Sequence, residues 1–192
     1  MWIDELAELM PPPAIEARGA IAQTADWERA EVELGVKLPA DYRAFLDRWG
    51  AGSIGPFMHP YTPAAGFHPV ITLPSGVTGE ARAYASLKEN HPASLVWPVY
   101  PAHGSLMSFA VTDNGDYVGW LVGPGDPNDW PVAVVDDEYG NMQVFDGLTF
   151  GPFLLGVVTG RIRPEAFPDD LWNKTPLRFS PSQPQEKFLK AE

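Results

Sequence analysis

The sequence predicts an α+β fold, a single domain whose twisted, mostly antiparallel sheet has N-terminal helices and a closing C-terminal helix packed beside it. Three observations carry this. Helical periodicity occupies residues 1–50, the strongest strand signals fall between 105 and 146, and an apolar stripe with helical spacing returns at 150–159. Helices, then strands, then a helix is the order of a segregated α+β chain rather than of alternating βαβ units. The domain is expected over residues 1–160, with a proline-rich, partly ordered extension over 161–192.

Each element has its own signal. Trp2, Leu6 and Leu9 stand at helical spacing, and Pro11-Pro12-Pro13 end that helix. Asp26 is the expected N-cap of a helix over Trp27 to Leu34, with Gly35 as its stop. Pro39 and Asp41 suit the first turn of the next helix. There Tyr42, Phe45, Leu46 and Trp49 fall at i, i+3, i+4 and i+7, and Gly50 follows. Those aromatics read as core. Residues 51–77 are rich in Gly and Pro and should hold only short extended pieces, and Thr78 to Asn90 reads as a helix presenting Ala81, Tyr84 and Leu87.

Ser105 to Val122 reads as a hairpin. Asn114-Gly115 is the preferred two-residue type I′ turn, which needs positive φ at both positions. That loop predicts Val111 opposite Val118, Phe109 opposite Trp120 and Met107 opposite Val122, all on one apolar face. It also sets Asp113 opposite Asp116, where like charges cost about a few tenths of a kcal/mol. Pro131 to Asp136 and Met142 to Asp146 predict a second strand pair. Phe150, Phe153, Leu154, Val157 and Val158 form the stripe of the closing helix. Beyond Gly160 there are five prolines and no sustained period.

Composition excludes several classes. At 45% hydrophobic and 20% charged residues the chain is not disordered. Cys is absent, which removes disulfides, thiolate zinc sites and cysteine nucleophiles together. Against 13 basic residues stand 25 acidic ones, a net of −12, which speaks against nucleic-acid and anionic-membrane binding. The Met-Trp-Ile-Asp-Glu start is acidic where a secretory signal is basic, and no apolar run approaches the roughly 20 residues of a membrane span. A cytoplasmic protein is expected.

The charge is uneven. No Lys or Arg occurs between Lys88 and Arg161, a stretch that holds nine acids. Seven of them, Asp113, Asp116, Asp126, Asp129, Asp136, Asp137 and Glu138, lie in turn-like segments and are the candidate partner-binding residues. An ordinary solvated surface mixes both signs. This one is either a solubilising surface or an acidic face for a cationic partner.

Other motifs fail on context. Gly50-Ala51-Gly52-Ser53-Ile54-Gly55 matches the dinucleotide-binding glycine pattern but follows a helix and runs into coil, where that site needs a strand before it and a helix after it. The overlapping Ala51-x-Ser53-x-Gly55 fails as a nucleophile elbow for the same reason. His59, His68, His91 and His103 include no pair at metal-binding helical spacing. The Asp113–Asp116 and Asp126–Asp129 loops lack the alternating ligand pattern of a calcium loop. No catalytic residue, metal or cofactor is expected.

A family pattern does emerge. Trp27-Glu28-Arg29-Ala30-Glu31-Val32-Glu33-Leu34-Gly35, then Leu38-Pro39-Ala40-Asp41-Tyr42-Arg43-Ala44-Phe45-Leu46, then Trp49-Gly50-Ala51-Gly52, resembles the N-terminal signature of the SUKH superfamily. That group holds the Smi/Knr-type fungal cell-wall regulators and many bacterial immunity proteins. Asp113-Asn114-Gly115-Asp116 followed by Trp120, Asp129-Trp130-Pro131 before a Val-rich strand, and Phe153-Leu154 in the closing helix continue the likeness, which covers roughly residues 24–160. The resemblance implies an α+β fold and a non-enzymatic role. For a bacterial member it implies an immunity protein that neutralises a cognate toxin of nuclease or deaminase type. A basic toxin domain is then the expected partner, and the acidic stretch the expected contact. The alternative is a regulatory or scaffolding module for an endogenous partner, as in the fungal relatives.

Overall fold

The structure is a computed structural model that describes residues 1–64 and 72–182. Within them lie five α-helices, α1 (Trp2–Leu9), α2 (Thr24–Leu34), α3 (Ala40–Trp49), α4 (Leu73–Asn90) and α5 (Phe150–Thr159). The strands are β1 (Gly52–Ile54), β2 (Met58–Pro60), β3 (Leu106–Thr112), β4 (Tyr117–Leu121), β5 (Val132–Val135), β6 (Met142–Phe145) and β7 (Phe179–Pro181). All neighbours pair antiparallel in one seven-stranded sheet of order β6-β5-β4-β3-β2-β1-β7. The α+β expectation holds.

Strand alternation sorts the core onto two faces. Val132 and Val134 of β5 point into the main cluster, with Leu6 of α1, Tyr42, Phe45 and Trp49 of α3, Trp120 of β4, and Phe150, Phe153 and Leu154 of α5. Ala133 and Val135, one residue out of phase, point into a smaller cluster with Tyr84 of α4, Leu95, Leu106 and Tyr139. That explains why β5 reads as an unbroken apolar run: both of its faces are covered. Phe45 and Trp49 are fully buried and stack at 5.1 Å, and the Trp49 indole N–H donates to the Met10 carbonyl. The Asp41 carboxylate accepts from the backbone N–H of Gly151, tying the start of α3 to the start of α5.

Several local expectations need correction. Asp26 is not the N-cap of α2. The helix starts at Thr24, and Asp26 is the third helical residue, accepting the Gln23 N–H while the Gln23 side chain returns to the Asp26 backbone. Helix α4 starts five residues before Thr78, at Leu73, with Pro74 in its first turn where the missing N–H costs nothing.

The hairpin register is also different. Thr112 pairs with Asp116, and Asp113-Asn114-Gly115 form a three-residue loop. The Gly115 N–H donates to the Thr112 carbonyl and the Thr112 N–H to the Asp116 carbonyl. Only Gly115 has positive φ, at 96°; Asn114 does not. This is a type I turn closed by a left-handed glycine, not a type I′ turn. Val111 therefore opposes Tyr117, and Ala110 opposes Val118. A β-bulge between Ser108 and Ala110 shifts the ladder again, so Met107 opposes Trp120 and Leu106 opposes Leu121. Phe109 is the bulged residue. It faces no partner across the ladder, yet its ring lies 4.6 Å from that of Trp120 in the same cluster. Its carbonyl accepts from the Tyr42 hydroxyl at 3.0 Å and the Tyr61 N–H at 2.7 Å.

Residues 161–182 of the extension join the same body. Phe167, Trp172 and Leu177 belong to the main cluster, and β7 pairs with β1. Residues 183–192 lie outside the described residues, as does His68.

Candidate functional site: an acidic end of the sheet

Antiparallel order places the β3–β4 loop and the β5–β6 turn side by side at one end of the sheet. They touch there. A Cβ on Gly115 would stand 3.3 Å from the Asp137 Cβ. The β5–β6 turn is built around Asp136, whose Oδ1 accepts the Gly140 N–H at 2.7 Å and whose carbonyl accepts the Tyr139 N–H. Tyr139 adopts φ of 56°, unusual for a residue with a side chain. Its ring is buried between Tyr84 and Tyr117, at 5.2 and 5.7 Å. That anchor turns Asp137 and Glu138 outward, and both are exposed.

Asp116 is not the exposed acid that its turn position suggested. It is buried, and its carboxylate accepts the Thr112 hydroxyl at 2.8 Å. Burial pushes its carboxyl above the usual aspartate range. The carboxylates of Asp137 and Asp136 add to that, and the Thr112 hydrogen bond opposes it. Nor does Asp113 face Asp116 across the ladder. Asp113 is exposed and meets the His59 ring on β2, with Nε2 2.6 Å from Oδ1. Asp113, Asp116, Asp136, Asp137 and Glu138 thus come together.

Asp126 and Asp129 do not join them. The β4–β5 loop lies at the opposite end of the strands. There Asp126 accepts from Asn128, and the Asn128 side-chain Oδ1 accepts the Ala40 N–H at the start of α3. The seven candidates therefore occupy two ends of the sheet, and Asp126 has a capping task.

Lys174 and Arg178 lie beside the β1–β2 turn at this same end of the sheet, and five other bases are paired elsewhere. Arg29 pairs with Asp26, Lys37 with Glu31, Arg43 with Asp47, Arg48 with Asp4 and Arg161 with Glu5. Among the described residues no Lys or Arg forms an ion pair with Asp113, Asp116, Asp136, Asp137 or Glu138. Nor do three or more His, Asp or Glu residues gather where they could hold a metal.

Beside the acidic end, between α4 and the sheet, lies a cavity of about 460 Å³ lined by His59, Tyr61, Gly76, Gly79, Glu80, Val111 and Tyr117 among others. Among the described residues Glu80 is the single carboxylate in its wall. Sequence reasoning missed it. The signal was present: Leu73, Val77, Glu80 and Tyr84 follow helical spacing, which places the acid on the buried stripe.

The described residues form an antiparallel sheet backed by helices, with acids gathered at one end. A sequence model of the SMI1/KNR4 family (SUKH-1) matches residues 21–153, and the chain belongs to that family. The family supports a protein-binding role and is generally one of non-catalytic immunity and regulatory domains. No curated protein matches the chain. Among the described residues no helix is long and apolar enough to cross a membrane.

Proposed function

We propose that this chain is a cytoplasmic immunity protein that binds and neutralises a cognate toxin domain of nuclease or deaminase type through the acidic end of its sheet. The observation that carries the reading is that two separate loops converge five acids there, with no Lys or Arg among the described residues paired to them. Nucleases carry basic substrate clefts, and an acidic surface can occupy such a cleft and speed the encounter electrostatically.

The experiment seeks a basic toxin domain in the adjacent reading frames and measures its association rate with the chain. Reversing the exposed Asp113, Asp137 and Glu138 to Lys should slow association at least about tenfold at low salt, with circular dichroism unchanged. Reversing Asp129 and Asp146 at the opposite end should leave the rate within about twofold. Equal slowing from both ends would mean that net charge, not this surface, governs the encounter. No binding at all would favour an endogenous partner, the regulatory reading.

A further inference from the structure

We propose that the cavity between α4 and the sheet is a binding site for a small molecule carrying a primary ammonium group on an apolar body, with the Glu80 carboxylate as its counter-ion. Nothing in the toxin-binding reading requires this site.

The size fits. A volume of about 460 Å³ falls within the roughly 300–1,000 Å³ of small-ligand pockets. The wall is mostly apolar, made by Pro60, Tyr61, Val111 and Tyr117. Into it the fold sets one charged group. Glu80 is only 7% exposed, and among the described residues no hydrogen bond or ion pair engages its carboxylate, whose oxygens keep some contact with solvent. Buried acids are normally paired, because an unpaired one is left desolvated without compensation. Burial accordingly pushes the Glu80 carboxyl up to about 7.

The helix also leaves the space open. Gly76 is needed where it stands, since a Cβ there would lie 2.4 Å from the Tyr61 ring. Gly79 has no such reason: a Cβ on it would meet nothing within 4 Å, although glycine in a helix interior is disfavoured. It lines the cavity at an exposed position, where any side chain would narrow the opening.

The chemistry of the wall selects the ligand. Among the described residues no Lys or Arg lines the cavity, so there an anion would meet an acid and no counter-charge. A purely apolar ligand would leave the carboxylate unpaired. The phenols of Tyr61, Tyr84 and Tyr139 surround Glu80 electrostatically and are held protonated by burial. The His59 ring is already engaged by Asp113. An ammonium group supplies the missing positive charge, and an apolar body fills the rest.

The test uses the full chain, titrated with benzylamine by calorimetry and amide NMR, with benzyl alcohol as the neutral isostere. Benzylamine should bind, with shifts centred on α4 and β2 to β4, and benzyl alcohol at least about tenfold more weakly. Glu80→Gln should weaken benzylamine at least about tenfold. Gly79→Leu should abolish binding without lowering the melting temperature. Absence of benzylamine binding at millimolar concentration would overturn the proposal. So would equal binding of the alcohol, or an unchanged affinity in Glu80→Gln. Binding of Nα-acetyl-lysine N-methylamide but not of benzylamine would also overturn it, assigning the cavity to a partner's side chain. Should Glu80→Gln fail to fold, the amine–alcohol comparison and Gly79→Leu still decide.

Discussion

Burying a carboxylate removes its hydration, and unless a cation or donor replaces that hydration the neutral form is favoured. Glu80 shows the result, with its titration raised from the usual 4.5 to about 7 by burial alone. The sign for stability follows. Below about pH 4.5 the group is neutral in folded and unfolded chains and costs nothing. As pH rises the unfolded chain ionises first, and folding loses stability until the folded group also ionises near pH 7. The penalty is on the order of 3 kcal/mol above that point. Glu80→Gln lacks the ionisation, so its advantage over the wild type should grow between about pH 4.5 and 7 and then level off. Urea unfolding of both proteins at several pH values checks this. A constant difference across the range would show that Glu80 ionises freely in the folded chain.

The β3–β4 hairpin rests on Gly115, whose φ of 96° belongs to the region that side chains avoid. Gly115→Ala should cost about 1–2 kcal/mol, whereas Asn114→Ala should cost less than about 0.5 kcal/mol, because position 114 is not left-handed. Chemical unfolding of the two variants separates them. Equal losses would restore the type I′ turn. What misled the reading at this element was the bulge. Phe109 and Ala110 are consecutive yet both enter the main cluster, which period-2 alternation cannot produce. An Asn-Gly pair then supplied a plausible turn for the wrong register. Helices α3 and α5 were legible to the residue or nearly so, because apolar spacing and a following glycine agreed. The start of α4 was hidden by Pro74, Gly76 and Gly79, residues that normally break helices. Of the acidic site, composition revealed that acids were numerous and unpaired in sequence. It could not reveal that strand order sends Asp137 and Glu138 to one end and Asp129 to the other. Nor could it reveal that Asp116 turns inward to Thr112.

For the molecule as a whole, a net charge of −12 is distributed against cohesion. Four of the 13 bases are held in pairs around α1 to α3, and the acidic end of the sheet repels itself. Raising salt from about 0.01 to 0.1 M shortens the screening length from about 30 to 10 Å. If repulsion outweighs the exposed ion pairs, the melting temperature should rise by about 2–4 °C for each kcal/mol relieved. Scanning calorimetry across that range would detect it, and a fall would mean that the surface pairs dominate.

The pairing of β7 with β1 has a consequence for how the protein is made. Gly52–Ile54 acquire their second neighbour only from Phe179–Pro181. At about 5–20 residues per second of synthesis, the wait between the two is on the order of ten seconds. Throughout it the nascent sheet offers β1 as an open border to other nascent chains on the same message. Strand β7 brings Pro181, which has no N–H to donate and so weakens that strand as a template for further pairing. Slowed ribosomes should favour intermolecular pairing at β1 over the native partner.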